Sequence, residues 1–428
     1  MAHPAALCMG GFFVLAMLIR QPTPAPNNAK AATPLMSDIF LCILIPPNVG
    51  FNISMSVAVG VIRKIELLVF TFLPSYAILS KNKIGVRDMD IWQKIQNDDR
   101  PVALYGMGNG ADRVLEQLRL YGVKPVGVFA SSSFVRHQTY QGYTVSDYQS
   151  LAERYPDMII LVCFGTNRPE VLSFIETLSE RHTVLCPDVP VYGDTVFDIE
   201  FARANADKLR FVYERLADEH SRKTFENIVR FKLSGEYKLL RACQYDGALF
   251  DPIDLTNEET YVDAGAYRGD TVELFLSGVS SHRKIIALEP NRKTYEKLKE
   301  RIKKAESIVA VRAAVSDFDG EAEMLSDGRG SSIGQKGESV PVCTLDKLLE
   351  GESVSLIKMD VEGQEAAALR GARKIITAQK PKMIMAAYHR SEDIFDLPLA
   401  VLNIRSDYKI LLRHNPHNLA WDTNYYFI

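Results

Sequence analysis

The sequence predicts an α/β protein with two doubly wound, Rossmann-like sheets joined by a helical connector. Three observations predict it. Strand-like and helix-like runs alternate from Pro101 to about residue 190, the alternation resumes at Glu259, and the stretch between them is rich in charge and helical in spacing. With 428 residues the chain is long enough for two or three domains with sizeable cores.

Residues 1–88 differ from everything after them, because their charged side chains are limited to Arg20, Lys30, Asp38, Arg63, Lys64, Glu66, Lys81, Lys83, Arg87 and Asp88. Ala5–Ile19 is short for a span of about 20 residues and has no basic region before it. The run 39–62 is broken by Pro46-Pro47, and the run 65–79 carries Glu66 and Pro74. The expectation is an apolar leader with no domain of its own. It reads as sequence upstream of a true start at Met89 in preference to a membrane anchor, since MDIWQKIQNDDRP opens a well-patterned stretch.

A first domain is expected over 89–198. Its opening unit is the strand VALYG, the glycine turn Gly106-Met-Gly108-Asn-Gly110 and the amphipathic helix ADRVLEQLRLYG. VKPVGVFA, DMIILVCFG and HTVLCPDV follow as strands, with helices at 146–155 and PEVLSFIETLSER between them. A dinucleotide at Gly106 and Gly108 would call for a carboxylate ending the second strand, where Ala130-Ser131-Ser132 stands instead. A connector, 199–258, reads as helices with Gly235 as a stop; Tyr237 and Arg241 are placed to pack the domains or to cover a cleft.

The second domain, 259–428, is built from YVDAG, KIIALEP, SIVAVRAAVSD, VSLIKMD, KPKMIMAAY, YKILLRH and NYYFI as strands, with helices between. Two short strand-like runs around GRGSSIGQKG suggest an inserted hairpin or lid.

Composition excludes several classes. A formal charge of −3 provides no broad basic field, so nucleic acid is not an expected partner. Six cysteines, Cys8, Cys42, Cys163, Cys186, Cys243 and Cys343, are scattered without a CxxC pair, which argues against zinc and a disulfide scaffold and for a reducing cytosol. His414 and His417, split by Pro416, are not expected to hold a metal.

The chemistry is expected in the second domain. In YVDAGAYRGDT, Asp263 closes a strand and Gly265 and Gly269 bracket a turn, with Ala266 and Asp270 in it, where backbone N–H groups can approach a ligand. Glu289, 26 positions on, ends the next strand, where a carboxylate accepts from both ribose hydroxyls. The turn lacks the third glycine of a diphosphate cradle, so a nucleoside without phosphates fits better, and S-adenosylmethionine is such a ligand. Asp317, after AAVSD, is either an adenine contact or a turn aspartate before Gly320. Asp360 brings a further carboxylate to the same sheet edge.

Residues 259–428 resemble the methyltransferase domain of the FkbM family. The resemblance rests on VDAGAYRGDT, ALEPN, AVSD, CTLD, IKMDVEGQE with LRGA after it, and AAYHRSEDIFDLP. It implies a class I methyltransferase fold that uses S-adenosylmethionine, with Asp263, Gly265 and Gly269 near the methionine part, Glu289 at the ribose and Asp317 at the adenine. YGMGNGAD and FASSSFVRHQ also look like an amino-terminal Rossmann-like domain of some members, except that Ser132 or Ser133 stands where those members often carry an acidic residue.

Such a site performs in-line displacement, in which positioning supplies most of the catalysis. His389, whose ordinary pKa lies near neutrality, is the candidate base. Asp360 or Glu362 could instead be that base, order substrate hydroxyls or bind a divalent cation. The expected activity is methylation of a sugar or secondary-metabolite hydroxyl in the cytoplasm, with the acceptor inferred from the resemblance. A nicotinamide-dependent oxidoreductase using the Gly106 turn and a silent nucleotide-binding module are the alternatives.

Overall fold

A computed structural model describes residues 89–428 except 132–133, 137, 303–306, 328–329 and 334–336, and three strands ahead of them. Those strands, Ala5–Met9 (β1), Phe12–Pro22 (β2) and Met36–Ile45 (β3), pair antiparallel within a unit spanning Met1–Pro74. The readings made for 46–88 and for Ser132 and Ser133 lie outside the described residues. Among the described residues no helix is long and apolar enough to cross a membrane.

Ser75–Ile428 form a second unit, which carries both expected sheets. The first has β4 (Val102–Tyr105) at its centre, flanked by β5 (Gly127–Phe129) and β8 (Ile159–Val162). Its order is β6-β7-β5-β4-β8-β9, where β6 is Thr139–Tyr140, β7 is Tyr143–Ser146 and β9 is Thr183–Leu185. All neighbours pair parallel except β6 with β7. The three central strands are buried on both faces, which is why they read as unbroken apolar runs.

The connector folds as helices over Ile199–Ala204, Ala206–Arg215, Glu219–Ser234 and Tyr237–Arg241. Asp218 caps the third of them, and Gly235, in the left-handed region at φ +68°, ends it. The connector joins the sheets through its core: Leu209, Phe225 and Phe231 belong to one apolar cluster with Tyr105 and Phe129 of the first sheet and Ile357, Met385 and Tyr425 of the second. Tyr237 is part of that cluster, and Arg241 pairs at the surface with Glu176.

The second sheet contains β10 (Thr260–Ala264), β11 (Lys284–Leu288), β12 (Ile308–Val311), β17 (Leu356–Met359), β18 (Lys382–Ala386), β19 (Ile410–His414) and β20 (Thr423–Phe427). Its order, β12-β11-β10-β17-β18-β20-β19, leaves β20 antiparallel to both neighbours and the first five strands parallel. The run SIVAVRAAVSD is not one strand. It breaks at Arg312-Ala313, and Ala314–Val315 (β13) joins a separate sheet with Gly320–Asp327 (β14), Gly330–Ile333 (β15) and Glu338–Cys343 (β16) in the order β13-β16-β14-β15. β14 and β16 are the two expected runs and pair antiparallel, while the glycine-rich link between them adds a further strand, β15, on the other side of β14.

Candidate active site

Three parallel strands, β11, β10 and β17, deliver Glu289, Asp263 and Asp360 to the carboxyl edge of the second sheet, the edge where open α/β sheets take ligands. The glycine turn after β10 is wedged against that edge. A Cβ on Gly265, at φ +86°, would lie 1.9 Å from the Asp360 carbonyl oxygen, so the chain passes under Asp360 only without a side chain. Both Gly265 and Ala266 donate their N–H to the Leu288 carbonyl, and Gly269 donates to that of Ala266. These N–H groups hold the turn and do not point outward for a ligand, as the sequence suggested. The turn leads into the helix Asp270–Gly278, where Asp270 is engaged by Arg301 on the exposed face, away from the other carboxylates.

Asp263 is fully buried. One oxygen accepts from the Thr271 hydroxyl and the other lies 3.4 Å from Lys358 Nζ. Lys358 faces Asp263 in register across β10 and β17, and its Nζ is also 3.6 Å from Asp360. Burial alone would discharge this ammonium, but Asp263 and Asp360 outweigh it and raise its pKa. A charged residue inside the apolar run LIKM is the sequence signal for it. Glu289, 7% exposed, accepts from the Asn291 N–H at 2.8 Å. Burial pushes its carboxyl up to about 7, against the pull of N–H bonds from Asn291 and Tyr267.

Asp317 is delivered by a different sheet. It lies beyond β13, outside the large sheet, and accepts from Arg370 Nε at 2.8 Å, a bond that holds its carboxyl below the usual range. The strand that was to aim it ends six residues earlier, at Val311.

His389 follows β18 and is buried. Its Nδ1 is 2.9 Å from Glu365 Oε1, and its Nε2 stands 3.6 Å from Asp360 Oδ1 and 3.5 Å from Glu362 Oε2. Burial would lower its pKa; Glu365 first, then Asp360 and Glu362, raise it to about 10. The expectation of an imidazole titrating near neutrality is therefore corrected: three carboxylates hold the ring as a cation. Glu365 opens the helix Glu365–Gly371 and also accepts from the N–H of Val361 and of Gly363. Asp360 further accepts from the Tyr388 hydroxyl at 3.2 Å. Burial works to raise the Asp360 carboxyl, yet Lys358 and His389 keep it below its ordinary value. Glu362 sits at φ +56°, unusual for a side-chain-bearing residue, and burial raises its pKa.

The first domain reaches this site. The Val191 and Tyr192 N–H groups both donate to the His389 carbonyl at 3.0 Å, the Tyr192 ring meets the imidazole edge-on at 5.9 Å, and its hydroxyl bonds Glu362. Gly363 is the residue over which that ring lies, since a Cβ there would come within 3.1 Å of it. Ser391 donates to the Thr195 carbonyl. No pattern in the sequence distinguished Tyr192, because its role comes from an interface between distant segments.

His414 and His417 are buried with pKa values depressed by burial to about 3 and about 4; Thr423 and the Leu419 N–H satisfy one ring nitrogen of each. A concavity of about 740 Å³ lined by Glu352, Ser355, Gln379 and Lys382 lies at the opposite, amino edge of the sheet, away from these groups.

The carboxyl edge is anionic, with Asp263, Glu289, Asp360 and Glu362 set against the buried Lys358 and His389. That donor set fits a cationic nucleoside and disfavours phosphate. Among solved structures, a methyltransferase FkbM from Methylobacillus flagellatus KT is similar to the chain at 18% identity with a TM-score of 0.61, over 87% of this chain and all of the other. An rRNA methylase from Streptococcus thermophilus (14% identity, TM-score 0.27, 40% of this chain and 87% of the other) is more distant. So is fibrillarin of Aeropyrum pernix with bound S-adenosyl-L-methionine (16%, 0.28, 41% and 70%). No curated protein sequence matches. The family described as Methyltransferase FkbM domain matches residues 263–409, which begin at Asp263 and include the glycine turn, Asp360 and His389. Residues 263–409, which carry the second sheet's site, are thus similar to the FkbM methyltransferase domain, and the chain shares its fold with the Methylobacillus flagellatus KT protein.

Proposed function

We propose that the chain is an S-adenosylmethionine-dependent methyltransferase acting on a hydroxyl of a sugar or secondary metabolite. The observation that carries the cofactor is the convergence of Asp263, Glu289 and Asp360 on one sheet edge around the Gly265–Gly269 turn, within the region similar to the FkbM domain. The acceptor class rests on the family resemblance. S-adenosylmethionine supplies an electrophilic methyl on a sulfonium. Glu289 accepts from the ribose hydroxyls, and Asp263, held by Thr271 and Lys358, faces the positively charged amino acid part. Asp317, which pairs with Arg370, is the adenine contact that the family resemblance implies.

Methyl transfer forms a bond from the acceptor oxygen to the methyl carbon, and the electron pair of the broken carbon–sulfur bond returns to sulfur. The acceptor proton must leave. As an imidazolium, His389 does not take it; it orients Asp360 and Glu362, and Glu362, whose burial raises its proton affinity, is the better acceptor of the two. Calorimetric titration with S-adenosylmethionine and with NAD tests the cofactor, and mass spectrometry of carbohydrate and metabolite extracts incubated with the protein and cofactor seeks a gain of one CH₂. Binding of NAD but not of S-adenosylmethionine would reject this reading.

A further inference from the structure

We propose that His389 Nε2, Asp360 and Glu362 form a site for a divalent transition-metal ion, with Glu365 fixing the imidazole from behind. His389 Nδ1 lies 2.9 Å from Glu365 Oε1, so this ring nitrogen donates, the arrangement that orients metal-binding histidines, and an ion would take the place of the proton that Nε2 carries in the metal-free protein. Nε2 faces two carboxylate oxygens at 3.6 and 3.5 Å. Good N–H···O bonds span about 2.7–3.2 Å, so a proton on Nε2 fills this gap poorly. Ligand atoms about 2.1 Å from a shared tetrahedral ion stand roughly 3.4 Å apart, which matches the observed spacings.

A second observation is independent of that spacing. Glu365 is 1% exposed, yet its Oε2 has no hydrogen-bond partner, and the one imidazolium beside it is shared with Asp360 and Glu362, which leaves these buried carboxylates short of positive charge. One oxygen of Glu365, one of Asp360 and a ring nitrogen of His389 lie within 4.8 Å of one another. Asp360 and Glu362 come from the loop after β17 and His389 from the end of β18, so the sheet sets their positions. One nitrogen and two oxygens suit Mn²⁺ or Zn²⁺ better than the all-oxygen preference of Mg²⁺ or Ca²⁺. Three protein ligands leave further coordination positions for water or an acceptor oxygen, whose proton such an ion would acidify. This use of the ion rests on the methyl-transfer reading; the site itself does not.

The test is calorimetric titration of the chelator-treated full chain with MnCl₂, ZnCl₂ and MgCl₂, each also run on His389→Gln, Asp360→Asn and Glu365→Gln variants. One equivalent of Mn²⁺ or Zn²⁺ is expected to bind, with affinity falling at least about tenfold in His389→Gln and Asp360→Asn and about 10–100-fold in Glu365→Gln. Pulsed electron paramagnetic resonance of the Mn²⁺-loaded wild type, which needs no variant to fold, is expected to show one coupled imidazole nitrogen. No binding of either ion, binding unaffected by His389→Gln, or bound Mn²⁺ without nitrogen coupling would overturn the proposal. Titration with S-adenosylmethionine on the same samples separates the two readings: cofactor binding without metal binding removes only the ion, and metal binding without cofactor binding removes only methyl transfer.

Discussion

Glu289→Gln separates what the buried carboxyl costs the fold from what it gives the site. In the native protein burial moves this carboxyl from 4.5 to about 7. That displacement corresponds to about 3 kcal/mol of differential interaction. Because the native pKa lies above the unfolded one, the native state holds the proton longer. The favourable contribution is complete below pH 4.5 and is lost as pH rises through 7. Glutamine keeps an oxygen for the Asn291 N–H and carries no charge, so the variant should be more stable than wild type at pH 8 by up to about 3 kcal/mol, with the advantage shrinking towards pH 4.5. Urea unfolding of both proteins from pH 4.5 to 8 reads the difference, in which other titrating groups cancel. S-adenosylmethionine affinity, measured by calorimetry, should fall by about 1.5–3 kcal/mol in the variant, the range for hydrogen bonds to a charged group. It should also lose the rise with pH that the wild type shows through 7. A stability difference that does not change with pH would refute the buried, ligand-facing carboxyl.

Lys358→Met should destabilise the protein by about 3–5 kcal/mol, since it strands two carboxylates at the sheet edge, and Asp263→Asn added to it should recover part of the loss in urea unfolding; additive losses would sink the ion-pair account. Gly265→Ala should cost at least about 2 kcal/mol and abolish cofactor binding, because the added Cβ meets the Asp360 carbonyl; an unchanged melting temperature would show that the turn can relax. Tyr192→Phe should keep cofactor affinity and lower methylation of an identified acceptor, since it removes the hydroxyl bond to Glu362 while keeping the ring over Gly363; unaltered turnover would take Tyr192 out of the acceptor side.

The sequence made the strands and the three strand-end carboxylates legible because each depends on local pattern: an apolar run, then an acidic residue, then a glycine turn. Asp263, Glu289 and Asp360 follow that rule and converge. Asp317 obeys the same rule in the sequence but follows a strand outside the large sheet, since Arg312-Ala313 divides an apparently continuous run between two sheets. The protonation of His389 was not legible either. Its ordinary pKa is a property of the isolated side chain, whereas the three carboxylates that raise it come from positions 24 to 29 residues away in the chain. Glu365 was visible within IKMDVEGQE, but nothing local said that it would turn inward to the imidazole.

The two glycine turns show how one sequence signal can have two physical causes. At Gly106 a Cβ would lie 2.4 Å from the Phe164 ring, and at Gly110 it would lie 2.3 Å from the Cys163 carbonyl oxygen. Both glycines are thus accounted for by protein packing at the end of β8. Beside them, Trp421 and His417 of the second domain close over Gly165, while Asn418 accepts from the Thr166 N–H and donates to the Phe164 carbonyl. The carboxyl edge of the first sheet, where a dinucleotide would bind, is therefore occupied by side chains from both domains. The same domain sends Tyr192 and Thr195 outward to the His389 loop, so its contribution runs towards the second sheet's site. NAD should accordingly produce no binding heat with the full chain, and Phe164→Ala, which removes the ring above Gly106, should not create a site, because β5 ends in Phe129-Ala130 without a carboxylate for the ribose. Micromolar NAD affinity in the wild type would show that Phe164 and Trp421 yield to a ligand and would restore the first glycine turn as a cofactor site.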